Sequence, residues 1–164
     1  MTRVTDIYNY LSIDEKLATS GQPSIDELGA VAADGVEVVI NLALHDDPRY
    51  SLPDEAGAIA ALGMTYVHIP VLFDAPKEDD LLAFFAAMDE HAGRKTLVHC
   101  AANKRVTSFL GLYRVLRQGR DPESAFAPMR EIWEPNQHWA PFIAAMLEKR
   151  VEKKNPLDPG SSPG

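Results

Sequence analysis

Apolar residues along this chain gather in two patterns. Three short runs, residues 36–42, 64–70 and 95–100, are rich in β-branched or aromatic side chains and too short for a stable helix, so they read as strands. Residues 17–20 form a fourth, less apolar strand candidate. Between these runs the apolar positions recur at helical spacing. Ser24 caps a helix that stops at Gly35, with Glu27 three residues on as in a capping box. A helix from Pro53 to Gly63 places Ile59 and Leu62 inward, and one from Lys77 to His91 carries Leu81, Leu82, Phe84, Phe85 and Met88. After residue 100 the pattern is helical throughout. It predicts helices over residues 107–118, from Asp121-Pro122 through Phe126, Met129 and Ile132, and from an Asn136 cap through Trp139, Phe142 and Ile143. Strands alternating with helices imply an α/β fold with a mainly parallel sheet, and right-handed crossovers put helices on both of its faces. The C-terminal third forms a helical cluster packed on that sheet.

Composition narrows the classes. The chain has 164 residues, 46% hydrophobic and 24% charged, which suits one core. A single domain is expected over residues 1–154, with the sparse tail of residues 155–164 (NPLDPGSSPG) disordered. A net charge of −8 argues against a nucleic-acid partner, which needs clustered cations. No apolar run approaches the roughly 18–20 residues that span a bilayer, so no membrane association is expected. The opening MTRVTDIYNYL lacks the apolar stretch of a signal peptide. Cys100 is the one cysteine, so an intrachain disulfide and a four-cysteine zinc site are ruled out and a reducing cytoplasm is the natural setting. The histidines and acids, His45-Asp46-Asp47 included, match no metal-ligand spacing; that trio reads as an exposed loop, and no metal or other cofactor is expected.

Chemistry concentrates in one segment, Thr96-Leu97-Val98-His99-Cys100-Ala101-Ala102-Asn103-Lys104-Arg105-Val106-Thr107. An apolar strand ends in His-Cys, small and polar residues follow, and a helix begins. This puts Cys100 at the carboxyl edge of a parallel sheet, where α/β folds place their sites. Loop amides and the first helical turn would point at the sulfur, favouring a thiolate and cradling an anion. Arg105 adds a permanent cation able to hold two oxygens of a phosphate. His99 is suited to orient the loop through hydrogen bonds. Lys104 either widens the positive field or is an exposed helix-start lysine.

This segment resembles the His-Cys signature loop of the protein tyrosine and dual-specificity phosphatases. The chain as a whole is similar to the small bacterial phosphatase-like branch of that superfamily. Ala18-Thr19-Ser20-Gly21-Gln22-Pro23, Val39-Ile40-Asn41-Leu42 and Ile132-Trp133-Glu134-Pro135-Asn136 with Trp139 also match. The resemblance implies a parallel four-stranded sheet flanked by helices. It also implies hydrolysis of a phosphomonoester, on a protein or a small molecule, through a phosphocysteine on Cys100. Arg105 would then clamp the phosphate, the amides of Ala101, Ala102, Asn103, Lys104, Arg105 and Val106 would form the cradle, and Thr107 would assist release of the thiolate.

The family spaces Cys and Arg by five residues, whereas Arg105 follows Cys100 after four. Without a gap, Thr107 holds the hydroxyl position and Val106 falls where the Arg belongs. With a one-residue deletion, Arg105 clamps and Val106 falls at the hydroxyl position. Asn103 replaces the usual loop glycine and tolerates the left-handed conformation better than most residues. For the general acid, Asp74 lies nearest the end of the 64–70 strand and is the first choice, with Asp79 and Asp80 read as helix-start charges. Slow turnover is therefore expected. A phosphate-binding pseudophosphatase and a rhodanese-like sulfurtransferase, whose loop also spaces Cys and Arg by four, stay open as alternatives, and so does the oligomeric state.

Overall fold

The computed structural model describes residues 2–45 and 51–153. Asp46, Asp47 and the tail expected at residues 155–164 lie outside the described residues. A short 3-10 turn at Val4–Asp6 leads into a hairpin of β1 (Leu11–Asp14) and β2 (Leu17–Ser20). Helix α1 (Ile25–Ala33), β3 (Val38–Asn41), α2 (Glu55–Ala61), β4 (Thr65–His68), α3 (Glu78–Glu90) and β5 (Thr96–His99) follow. The chain closes with α4 (Lys104–Leu116), α5 (Pro122–Ala125), α6 (Ala127–Ile132) and α7 (Trp139–Lys153).

The sheet order is β1-β2-β5-β3-β4. The four expected strands run parallel, with Ser20 and Asn41 both beside His99 and Asn41 beside His68, so their carboxyl ends line up. The expectation of four strands is corrected to five. Strand β1 pairs antiparallel on β2 at the sheet edge. Only Leu11 and Ile13 of its four residues turn partly inward, too brief an alternation to separate from loop.

Successive strand residues face opposite layers. Val38 and Ile40 of β3 join Val98 of β5 against α3, α4 and the C-terminal helices. Val39 and Leu97 face the other way, onto Leu28 and Val31 of α1 and Ile59 of α2. Ser24 caps α1 by accepting from the Glu27 N–H, and Glu27 returns the bond to the Ser24 N–H. Leu62 and Leu82, expected inward, are 40% and 50% exposed; Leu82 sits a sixth or more of a turn off the stripe of Leu81, Phe84, Phe85 and Met88.

Two boundaries differ for identifiable reasons. The helix after Pro122 breaks into two at Phe126, because Pro128 has no N–H to continue the ladder. Helix α4 starts at Lys104, three residues before the expected Thr107. The Thr107 hydroxyl donates backward to the Asn103 carbonyl at 2.8 Å, a mid-helix habit of threonine rather than a cap.

The C-terminal helices are fastened by Trp139, which is fully buried. Its ring meets Phe109, Phe142, Trp133 and Phe73 at centroid distances of 5.6–6.3 Å, and its indole N–H donates to the Phe73 carbonyl at 2.7 Å. Helix α4 approaches Phe126 so closely that a Cβ on Gly111 would lie 2.2 Å from that ring. Gly111→Ala is therefore expected to lower stability by about 1–3 kcal/mol through overpacking, despite alanine's better helix propensity. Urea denaturation checks this; an unchanged or raised midpoint would contradict the packing argument.

Candidate active site

The aligned carboxyl ends of β2, β3, β4 and β5 form one polar edge, and Cys100 follows directly on β5. Cys100 is 1% exposed. Three residues then turn the chain into α4, with Asn103 at φ 67° in the left-handed region.

Each peptide carbonyl in this turn has a donor. The Cys100 carbonyl accepts from His99 Nδ1 at 3.2 Å and the Ala101 carbonyl from the Gln22 N–H at 3.0 Å. The Ala102 carbonyl accepts from Asn9 Nδ2 at 3.0 Å, and the Asn103 carbonyl from the N–H and hydroxyl of Thr107. A peptide's C=O and N–H point in opposite directions. Holding these carbonyls outward therefore turns the N–H groups of Ala101, Ala102 and Lys104 the other way, while an antiparallel bridge between Gly21 and Ala102 turns the Asn103 N–H toward the end of β2. Among the described residues, no main-chain acceptor meets the amides of Ala101, Ala102, Lys104, Arg105 or Val106. The result is an array of free N–H groups at the start of a 13-residue helix, where the helix dipole adds its positive end.

The loop is fixed from outside by residues that sequence reasoning did not assign to the site. Asn103 Nδ2 donates to the Asn9 carbonyl and to Thr19 Oγ1. A Cβ on Gly21 would come within 2.6 Å of the Ala101 carbonyl oxygen, so only glycine lets the strand end approach so closely. Glu55, at the start of α2, is buried against His99 with Oε2 2.6 Å from Nε2, and Gln22 Nε2 donates to its other oxygen at 2.9 Å. Burial alone would raise the Glu55 pKa. The hydrogen bond and charge of His99, with help from Gln22 and His45, outweigh burial and hold it below the usual glutamate range. Nothing in the local sequence around Glu55 signals this, since its partner lies 44 positions away.

Arg105 is 8% exposed. Its Nη1 donates to the Val71 carbonyl at 2.8 Å, its guanidinium lies 5.7 Å from the Phe73 ring centre, and its buried Nε has no partner among the described residues. Among the described residues no carboxylate pairs with it, and little of it meets solvent. Val106 is fully buried in the core, and the Thr107 hydroxyl is committed to helix carbonyls. Lys104 Nζ sits 5.6 Å from the Trp133 ring and 6.0 Å from Phe73. The bonds to Val71 and Phe73 thus bring the loop carrying Asp74 alongside the first turn of α4. Asp74 itself is exposed and makes no ion pair with a described residue.

Beside the loop, buried Asn41 donates to the Tyr66 hydroxyl at 3.1 Å, and the exposed His45 ring meets the same hydroxyl at 3.1 Å. Among the described residues no group of three or more His, Cys, Asp and Glu is placed to hold a metal ion, and no helix is long and apolar enough to cross a membrane.

A parallel sheet ending in Cys, a turn and a helix start point to a phosphatase-like α/β domain. Comparison with known proteins agrees. Residues 9–116 match the family model of the phosphatase-like domain of beta-lactamase hydrolase-like proteins, and the chain belongs to that family. It is 34% identical over 119 residues to the beta-lactamase hydrolase-like protein of Xylella fastidiosa strain Temecula1, covering 70% of this chain but 27% of that protein. The chain thus spans about a quarter of the length of the curated relatives it matches. Among solved structures, a DUF442 protein of Shewanella putrefaciens CN-32 superposes with a TM-score of 0.79 at 34% identity, over 90% of this chain and 96% of that one. A cysteine-to-serine form of P. aeruginosa TpbA, in complex with pTyr, shares the fold at a TM-score of 0.69 and 15% identity, over 94% of each chain.

Burial pushes the Tyr66 phenol up to about 12, with Asn41 pulling the other way and the charge of Glu55 adding to the rise. Burial and then Asp89 push Tyr113 to about 12 as well. An unfolded phenol ionises near 10. Between those values the unfolded state loses protons that the folded state keeps, so stability falls as pH rises from about 10 to about 12. Urea midpoints across that window should drop less steeply in Tyr66→Phe and in Tyr113→Phe; slopes equal to that of the native protein would contradict the assignment.

Proposed function

We propose that this domain hydrolyses phosphomonoesters with Cys100 as the nucleophile. The observation that carries the reading is the turn after Cys100, with its carbonyls held outward and its amides free. Such an array stabilises a thiolate and the equatorial oxygens of a transferring phosphoryl group. The Cys100 thiolate attacks phosphorus and the bond to the ester oxygen breaks. Asp74, on the neighbouring loop, gives that oxygen its proton. Water then attacks phosphorus and gives a proton to the Asp74 carboxylate, the P–S bond breaks, and inorganic phosphate and the thiolate are released. Arg105 holds phosphate oxygens together with the amides of Ala101, Ala102, Asn103, Lys104 and Val106. Thr107 assists departure of the thiolate, and His99 orients the loop. The pTyr carried by the TpbA structure supports an aryl phosphate, on a protein or a small molecule, as the first substrate to try. A single thiol nucleophile suits a reducing compartment such as the cytoplasm.

A second reading, phosphate binding with little turnover, is favoured by two observations. Arg105 Nη1 is engaged by the Val71 carbonyl and the Thr107 hydroxyl by the Asn103 carbonyl, so both groups must exchange partners to serve a phosphoryl group.

Hydrolysis of p-nitrophenyl phosphate, with phosphate or vanadate binding measured in parallel, separates the two. Turnover is expected, lost in Cys100→Ser and lowered about 100-fold in Arg105→Ala and in Asp74→Asn, while Cys100→Ser still binds the anion. Anion binding without turnover in the native protein would establish the second reading. Loss of both, with thiosulfate-dependent cyanide consumption, would assign sulfur transfer instead.

A further inference from the structure

Glu55 is the one carboxylate that the described residues bury almost completely, at 1% exposed. A buried carboxylate is costly unless paired and hydrogen-bonded. Here Oε2 lies 2.6 Å from His99 Nε2 and Oε1 accepts from Gln22 Nε2. The opposite ring nitrogen, Nδ1, is 3.2 Å from the Cys100 carbonyl oxygen. A carbonyl only accepts, so Nδ1 carries a hydrogen. Nε2 meets the Glu55 carboxylate on the other side. The ring is thereby fixed in orientation from both ends.

The line Gln22–Glu55–His99 ends on the peptide that joins Cys100 to Ala101. The C=O of that peptide is gripped, and its N–H, that of Ala101, is the first amide of the cradle. We propose that Glu55 is a positioning residue for Cys100: it holds His99 in the state that grips the Cys100 carbonyl, and so sets the direction of the Ala101 N–H and the positive field at the sulfur. The same logic operates wherever a buried carboxylate holds an imidazole to one tautomer behind a nucleophile. The consequence for turnover rests on the phosphatase reading above; the consequence for the thiol does not. The groups that face Glu55 from the surrounding elements are His99 on β5, Gln22 after β2, His45 after β3 and Tyr66 on β4. A carboxylate that merely filled this corner would affect the melting temperature and leave the thiol's ionisation where it was.

The test is the pH titration of thiolate ultraviolet absorbance, read from the chain's one cysteine with Cys100→Ser as the blank. It is paired with kcat and KM for p-nitrophenyl phosphate in the native protein, Glu55→Gln and Glu55→Asp. In Glu55→Gln the thiol midpoint is expected to move upward and kcat to fall about tenfold, with KM within about twofold. Glu55→Asp, which keeps the charge, should recover most of both. A folded Glu55→Gln whose thiol midpoint matches the native one overturns the proposal, whatever happens to turnover. If the native protein hydrolyses nothing, the phosphatase reading fails and the titration still decides the role of Glu55. Should Glu55→Gln not fold, nitrogen-15 histidine spectra of the unaltered protein decide instead. A proton on His99 Nδ1 at neutral pH that exchanges slowly supports the proposal, and a bare Nδ1 overturns it.

Discussion

A peptide unit cannot aim its carbonyl and its N–H at the same target, and the site depends on that constraint. From Cys100 to Asn103 each carbonyl is taken up by a donor from elsewhere: His99, Gln22, Asn9 and Thr107. Among the described residues, the amides of Ala101, Ala102 and Lys104 are left without a main-chain acceptor. No side chain in the turn itself needs to be charged for the cradle to exist, which is why two alanines and an asparagine suffice. The positive field comes from backbone, helix dipole and the cations that open α4.

The rest of the architecture keeps those donors in place. The hairpin of β1 and β2 returns the chain past Asn9 and delivers Gln22 to the Ala101 carbonyl. Gly21 permits the approach, since any side chain there would strike the Ala101 oxygen. On the other side, Arg105 and Trp139 tie the loop after β4 to the helical layer through the carbonyls of Val71 and Phe73. That loop also carries Asp74, which is exposed. The cost falls on Arg105, whose Nη1 is engaged while its buried Nε has no partner among the described residues, and on the Thr107 hydroxyl.

The early start of α4 bears on the short spacing between Cys100 and Arg105. With the helix beginning at Lys104, Val106 turns into the core and Thr107 lies over the Asn103 carbonyl. Arg105 reaches along the edge toward Val71. Arg105, one position earlier than the family's arginine, reaches the neighbouring loop from its own place on the helix.

Much of this was legible in the residues. Apolar runs of strand length, the Ser24–Glu27 box and the His-Cys strand end fixed the α/β order and put Cys100 at the sheet's carboxyl edge, because these signals are local and periodic. Strand β1 escaped because two inward residues make no period, and the start of α4 escaped because Lys104 and Arg105 are polar and Asn103 makes no side-chain cap bond. Glu55, Asn9 and Gly21 were invisible for a different reason: each acts on the Cys100 loop from 44 to 94 positions away in the chain. The sequence by itself determined which residue is the thiol and which strand presents it. Only the tertiary structure decided which way the loop's peptides face, because that depends on donors that folding brings together from distant segments.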